Sequence, residues 1–192
     1  MGQSPMLPLF TLHTVLLPGA ALGIRVFEPR YLDLVRECGR NGSTFGVCMI
    51  LEGQEVGGAS TPAAWGVEAV VEDFDVGADG VLQLKLRGAR RFHVQSTRVR
   101  DNGLVLGQVA WADRDSDDEL RPEHALLGTV LERILEQVGG EFAAAGPALL
   151  DQAAWVGWRL AELLPLTGDQ RLALLQLDDP HARLDALLQT IA

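Results

Sequence analysis

Few residues in this chain are of types that could do chemistry. Of its 16 basic residues only Lys85, in LQLKLRG, is a lysine. A phosphate-cradling loop needs a lysine directly after a glycine-rich turn, and Lys85 sits mid-strand instead. A Ser–Lys nucleophile dyad would also have to use Lys85, whose strand carries no serine. The histidines, His13, His93, His124 and His181, show no HExxH or similar spacing, so no metal site is indicated. His93, between Phe92 and Val94, reads as a strand residue rather than a base. Cys38 and Cys48 have no histidine nearby and read as two buried free thiols. Glu72, Asp73 and Asp75 are of the right type for general acid–base work, but their place beside a turn reads as a solvated strand end. The sequence thus predicts a non-enzymatic chain with no cofactor.

Arg87, Arg90, Arg91, Arg98 and Arg100, with Phe92 among them, form the one basic concentration and invite a nucleic-acid reading. Strand alternation splits them over two faces. The net charge is −10, and it is unevenly spread. Residues 1–112 carry 11 acids and 10 bases, giving −1; residues 113–192 carry 15 acids and 6 bases, giving −9. A field of that sign repels phosphate backbones, so nucleic acid is disfavoured as a partner. No apolar run approaches the ~20 residues that span a bilayer. MGQSPMLPLF lacks a signal peptide's basic and apolar regions and a myristoylation serine, so the cytoplasm is the expected compartment and no membrane the expected partner.

The elements that would hold these residues follow from pattern. LPLFTL (7–12) reads as a strand and LGIRVF (22–27) as the next. Glu28 then stands at a helix N-cap with Pro29 at the first helical position. Leu32, Val35 and either Cys38 or Leu34 form the predicted buried stripe, and Gly39 or Asn41-Gly42 stops the helix. FGVCMIL (45–51) reads as a strand covered on both faces. Residues 52–64 read as a glycine-rich loop and a candidate flap. Strands follow at 66–76, 81–88, 90–100 and 104–112, separated at Gly77–Gly80, Gly88-Ala89 and Asp101–Gly103. That rhythm predicts a meandering barrel or sandwich. RDSDDELRPE (114–123) is an acidic linker, dividing a β-rich domain at 1–113 from helices at 114–192. Helices are predicted over Leu120–Val138, Gly146–Leu164, after a capping box at Thr167–Gln170, and after Asp179-Pro180. Trp155 and Trp158, three apart, are expected to fill an interface between helices and barrel.

Several stretches together resemble the LON N-terminal domain, the substrate-binding domain of ATP-dependent Lon proteases. They are LPLFTLHTVLLPG (7–19), LGIRVFEPRYLDLV (22–35), FGVCMI (45–50), GVLQLKLRGARRFHV (80–94) and the run from Trp155 to Leu188. Thr11, His13 and Gly23 depart from that family's pattern, which calls for proline, asparagine and a bulkier residue or proline there, and predict looser first strands.

The resemblance implies an α+β fold: a PUA-like β pseudobarrel with one inserted helix, then a C-terminal helical bundle. It also implies a protein- or peptide-binding module like the stand-alone members that lack motor and protease. The partners would be unfolded or extended polypeptide segments, and a Lon-type protease. Glu28, Arg30, Tyr31, Arg91 and Phe92 are the tentative protein-binding surface, with a scaffold role for the first three as the competing reading. The alternatives are a PUA-like regulator binding RNA or a small molecule, and an accessory partner of a separate Lon ATPase.

Overall fold

The computed structural model describes residues 6–52 and 61–192. Two compact units divide between Ala112 and Asp113.

The first unit is a sheet that closes on itself. Its strands are β1 (Met6–Leu12), β2 (Ala21–Val26), β3 (Phe45–Glu52), β4 (Thr61–Val76), β5 (Leu82–Val99) and β6 (Val105–Trp111). Their order is β2-β5-β4-β3-β1-β6, and β6 pairs back onto β5. This is the pseudobarrel that the resemblance implies, with helix α1 (Pro29–Asn41) inserted between β2 and β3.

β5 differs from the expectation of two strands parted at Gly88-Ala89: it is one strand of 18 residues. Its first half pairs with β2 and its second half with β6, while β4 runs along both halves. Gly88 does not break it. The missing side chain admits the Leu17 carbonyl, onto which a Cβ would collide, and Gly88 exchanges backbone bonds with Gly19 and Ala20 instead. The predicted loop at 52–64 is also shorter than read. Glu52 ends β3 and Thr61–Ala64 open β4, while 53–60 lie outside the described residues.

Pro29 starts α1 with its φ already helical, and Glu28 before it is extended. The Glu28 side chain does not cap. The buried face is Arg30, Tyr31, Leu34 and Cys38, with Leu32 and Val35 only half-buried. The stripe is therefore rotated from the predicted one, because Tyr31 packs into the barrel. Gly42, at φ +62°, ends the helix in the left-handed region.

The barrel core gathers Leu7, Leu9, Cys48, Phe92, Val105 and Val109. Phe92 is 0% exposed and lies over Gly46 and Gly66, two positions with no side chain to obstruct its ring.

The second unit contains a 3₁₀ turn (Pro122–His124) and helices α2 (Ala125–Val138), α3 (Pro147–Leu150), α4 (Ala153–Leu163), α5 (Gly168–Leu175) and α6 (Pro180–Ile191). α4 packs on α6 and α2, burying Leu131, Val156, Leu160 and Leu184. The capping box at Thr167 and Gln170 forms in both directions, and Asp179 caps α6. The helix predicted over 146–164 is instead broken at Asp151-Gln152. There the Leu120 N–H donates to the Asp151 carbonyl and the Ala153 N–H to that of Asp118.

The acidic stretch before α2 is therefore fastened to the helices. Asp115 pairs with Arg183 and accepts from Trp158 Nε1 at 2.8 Å. Arg183 is 1% exposed and also lies over the Trp158 ring. Asp118 and Asp185 each hold a buried histidine, His181 and His124. Trp158 is thus engaged within this unit, and Trp155 meets Phe142 edge-on.

Candidate functional site

The residues expected to form a binding face are mostly interior. Arg30, Tyr31, Arg91 and Phe92 are buried and Glu28 is half-buried. The structure brings Glu28, Arg30 and Tyr31 together as a lock. Tyr31 stacks on Phe10 at 3.8 Å, and Arg30 covers the Tyr31 ring. Arg30 also donates to the Gly103 carbonyl at 3.0 Å and to Glu28 at 3.3 Å. Arg91 and Phe92 belong to a separate cluster on β5, against Trp65 and Trp111. These five residues hold α1 and β5 in place.

The other sequence candidates are similarly occupied. Arg87, Arg90 and Arg100 pair with Glu72, Glu68 and Glu37. With Arg91 buried, that removes most of the basic concentration as a phosphate-binding face. Glu68 is buried, accepts two bonds from Arg90 and one of 2.6 Å from Thr44, and these hold its carboxyl below the usual range. Among the described residues no group of three or more His, Cys, Asp or Glu converges as a metal ion requires. Cys48 is fully buried, which pushes its thiol up to about 12; burial also raises that of Cys38.

Among the described residues, two edges stay unpaired: that of β2, which pairs with β5 alone, and the far end of β4. β3 pairs with β4 only as far as Phe45 opposite Ala69. Beyond that point β4 continues to Val76 with β5 on one side and, among the described residues, no strand on the other. The bond from the Gly77 N–H to the Val81 carbonyl fixes the alternation beyond the turn. Pairs Phe74–Leu84 and Val76–Leu82 are then the non-bonded ones, so the N–H and C=O groups of Phe74 and Val76 point outward.

Beside this edge lies a groove of about 680 Å³ between β4 and the C-terminal end of α1. That size suits a specific ligand site, for which roughly 300–1,000 Å³ is usual. Cys38, Phe45, Ala69 and Leu84 are its buried lining; Val35, Val71 and Leu82 are half-buried and Phe74 is exposed. Phe74 is 70% and Val76 60% exposed, both on the face of the ribbon that carries Leu82 and Leu84. Exposed large apolar side chains in series are the informative departure from a normal surface. The sequence reading passed over them, although the alternation DFDV (73–76) at a strand end was visible. Only the topology shows that this end has no neighbour.

The model for the ATP-dependent protease La (LON) substrate-binding domain matches residues 6–192. The chain belongs to the LON substrate-binding domain family. The crystal structure of a Lon N-terminal domain protein from Xanthomonas campestris is 65% identical to this LON domain. The match covers 96% of this chain and 98% of that one, with a TM-score of 0.84. The N-terminal domain of the Mycobacterium avium complex Lon protease is 16% identical over 96% and 97% of the two chains. Its TM-score of 0.69 shows that the LON fold persists where the sequence has diverged. No curated protein matches the LON chain. No described helix of this LON domain is long and apolar enough to cross a membrane.

Proposed function

We propose that this LON domain is a non-enzymatic binding module for extended polypeptide segments. The observation that carries the reading is the open edge of β4, residues 70–76, running beside an apolar groove. An extended chain laid on that edge would exchange backbone bonds with Phe74 and Val76 and place alternate side chains in the groove. Backbone pairing is indifferent to sequence, which suits recognition of unfolded segments. Family membership supports the same reading, and makes delivery to a Lon-type ATPase the natural next step. The buried Arg30–Tyr31 lock serves this site indirectly, by fixing the helix that forms the groove's second wall.

The test is fluorescence anisotropy with a labelled, permanently unfolded model protein. Binding is expected in the native chain. It should weaken at least ten-fold in Phe74→Asp, with the circular dichroism spectrum unchanged. Equal binding by the two proteins would remove the groove from the reading, and no binding by the native chain would end it.

A further inference from the structure

The open edge of β4 is already partly occupied by its own side chains. The Phe74 N–H donates to Asp73 Oδ1 at 2.9 Å, and the Val76 N–H to Asp75 Oδ1 at 2.8 Å. These are the outward-pointing donors that an added strand would need. Each aspartate thus plugs the N–H of the residue that follows it.

Asp73 and Asp75 stand on the ribbon face opposite to Phe74 and Val76, across from Lys85 and Gln83. Lys85 is drawn to Glu72, at 3.5 Å, and Glu72 is held by Arg87 as well. Among the described residues neither Asp73 nor Asp75 has a basic group within ion-pairing distance. One face of the edge is therefore apolar and the other carries two anions without counter-ions.

Building on the proposed function, we infer that the preferred guest is an extended segment in which apolar residues alternate with lysine or arginine. Its apolar residues enter the groove beside Phe74 and Leu84. Its basic residues meet Asp73 and Asp75 across the new strand pair. As the guest's carbonyls take the Phe74 and Val76 N–H groups, the displaced carboxylates turn to those cations, so no charge is stranded. A neutral or acidic guest displaces the same carboxylates and gives them nothing in return.

The same arrangement opposes a second copy of the chain as occupant. Antiparallel pairing of two β4 edges would bring four aspartates onto one face, where like charges directly opposite are destabilising.

The test uses three twelve-residue peptides sharing alternate valines, with lysine, threonine or glutamate between them. Binding to the whole chain is followed by anisotropy at low and physiological salt. The lysine peptide should bind about ten-fold tighter than the threonine one, as two exposed ion pairs allow, and the glutamate peptide weakest. In D73N/D75N the lysine peptide should fall to the threonine level. Equal affinities for lysine and glutamate peptides, or a preference that survives D73N/D75N, overturn this inference and leave the binding function standing. Absence of binding by all three, together with no binding of the unfolded model protein, overturns both. Sedimentation completes the test: a dimer abolished by Phe74→Asp would make the edge a self-interface and overturn the inference.

Discussion

The hydroxyl of Tyr31 lies 3.1 Å from Thr11 Oγ1 and 3.4 Å from the Thr11 backbone nitrogen. It joins α1 to β1. Thr11 is buried, and so is Tyr31, so the bonds have no competing water. Thr11 is a departure from the family pattern that was expected to loosen the first strands. Here it supplies an N–H and a hydroxyl that proline lacks, and it tightens them.

Tyr31→Phe should therefore destabilise the chain by about 1 kcal/mol, and Thr11→Val by a similar amount. In a double-mutant cycle by urea unfolding, the pair should cost less than the sum of the singles, because they share one interaction. Strict additivity would separate them.

The Phe92 slot predicts an asymmetry between two glycines. The three atoms nearest a Cβ at Gly46 belong to side chains, Phe92 and Leu7, the closest at 2.5 Å. One at Gly66 would meet Phe92 at 2.6 Å and also the Val47 carbonyl at 2.7 Å. Both alanine variants should lose about 2 kcal/mol or more by overpacking. Phe92→Leu should recover part of the loss in Gly46→Ala and little in Gly66→Ala, since backbone cannot yield. Thermal melts of the four variants decide it.

Glu68 predicts a pH dependence. Its carboxyl is lowered from 4.5, chiefly by its bonds to Arg90 and also by Thr44, against the opposing effect of burial. A carboxyl that is lower folded than unfolded adds stability above its unfolded value, and that stability is lost as pH falls through the folded one. Glu68→Gln should thus be less stable than the native chain at pH 7, by about 2 kcal/mol. The difference should shrink as the pH drops below the ordinary carboxylate range. Denaturant midpoints between pH 7 and pH 3 give the measurement.

In the helical unit, Asp115→Ala removes the carboxylate that pairs with Arg183, which is buried. The expected cost is about 3 kcal/mol, with a change in tryptophan emission because Trp158 loses its acceptor. Replacing Arg183 by Met in the same chain should restore much of the stability, since a buried charge that has lost its carboxylate costs more than an apolar side chain. Failure of the second substitution to help would point to the Trp158 bond instead.

The sequence was most readable where the determinant was local. Pro29 and Gly42 bound α1, the glycines at 80 and 103 make their turns with positive φ, and Thr167 with Gln170 caps α5. It misled where a distant partner decided. Gly88 looks like a break until Leu17 is placed against it, and Asp151 looks mid-helix until residues 118–120 bond there. Arg159, Arg183, His124 and His181 are buried with acidic partners that no local pattern announces. Burial of Arg30 and Arg91 is hidden in the same way, because their partners are distant in sequence. The β4 edge was hidden because an edge is a property of the sheet order, which no stretch of β4 records.

β1 lies between β3 and β6, pairing Leu9 with Gly46 on one side and Leu7 with Gly107 on the other. The ribosome makes β1 early and β6 roughly 100 residues later, an interval of about 5–20 s at usual elongation rates. The β4–β5 and β5–β6 hairpins can form in microseconds once made. The ring itself stays open until β1, which β3 can pair first, also meets β6, and until then the end of β1 at residues 7–9 has a bare edge. A nascent LON domain is thus, for those seconds, a closed sheet in waiting, with its first strand still exposed along one edge.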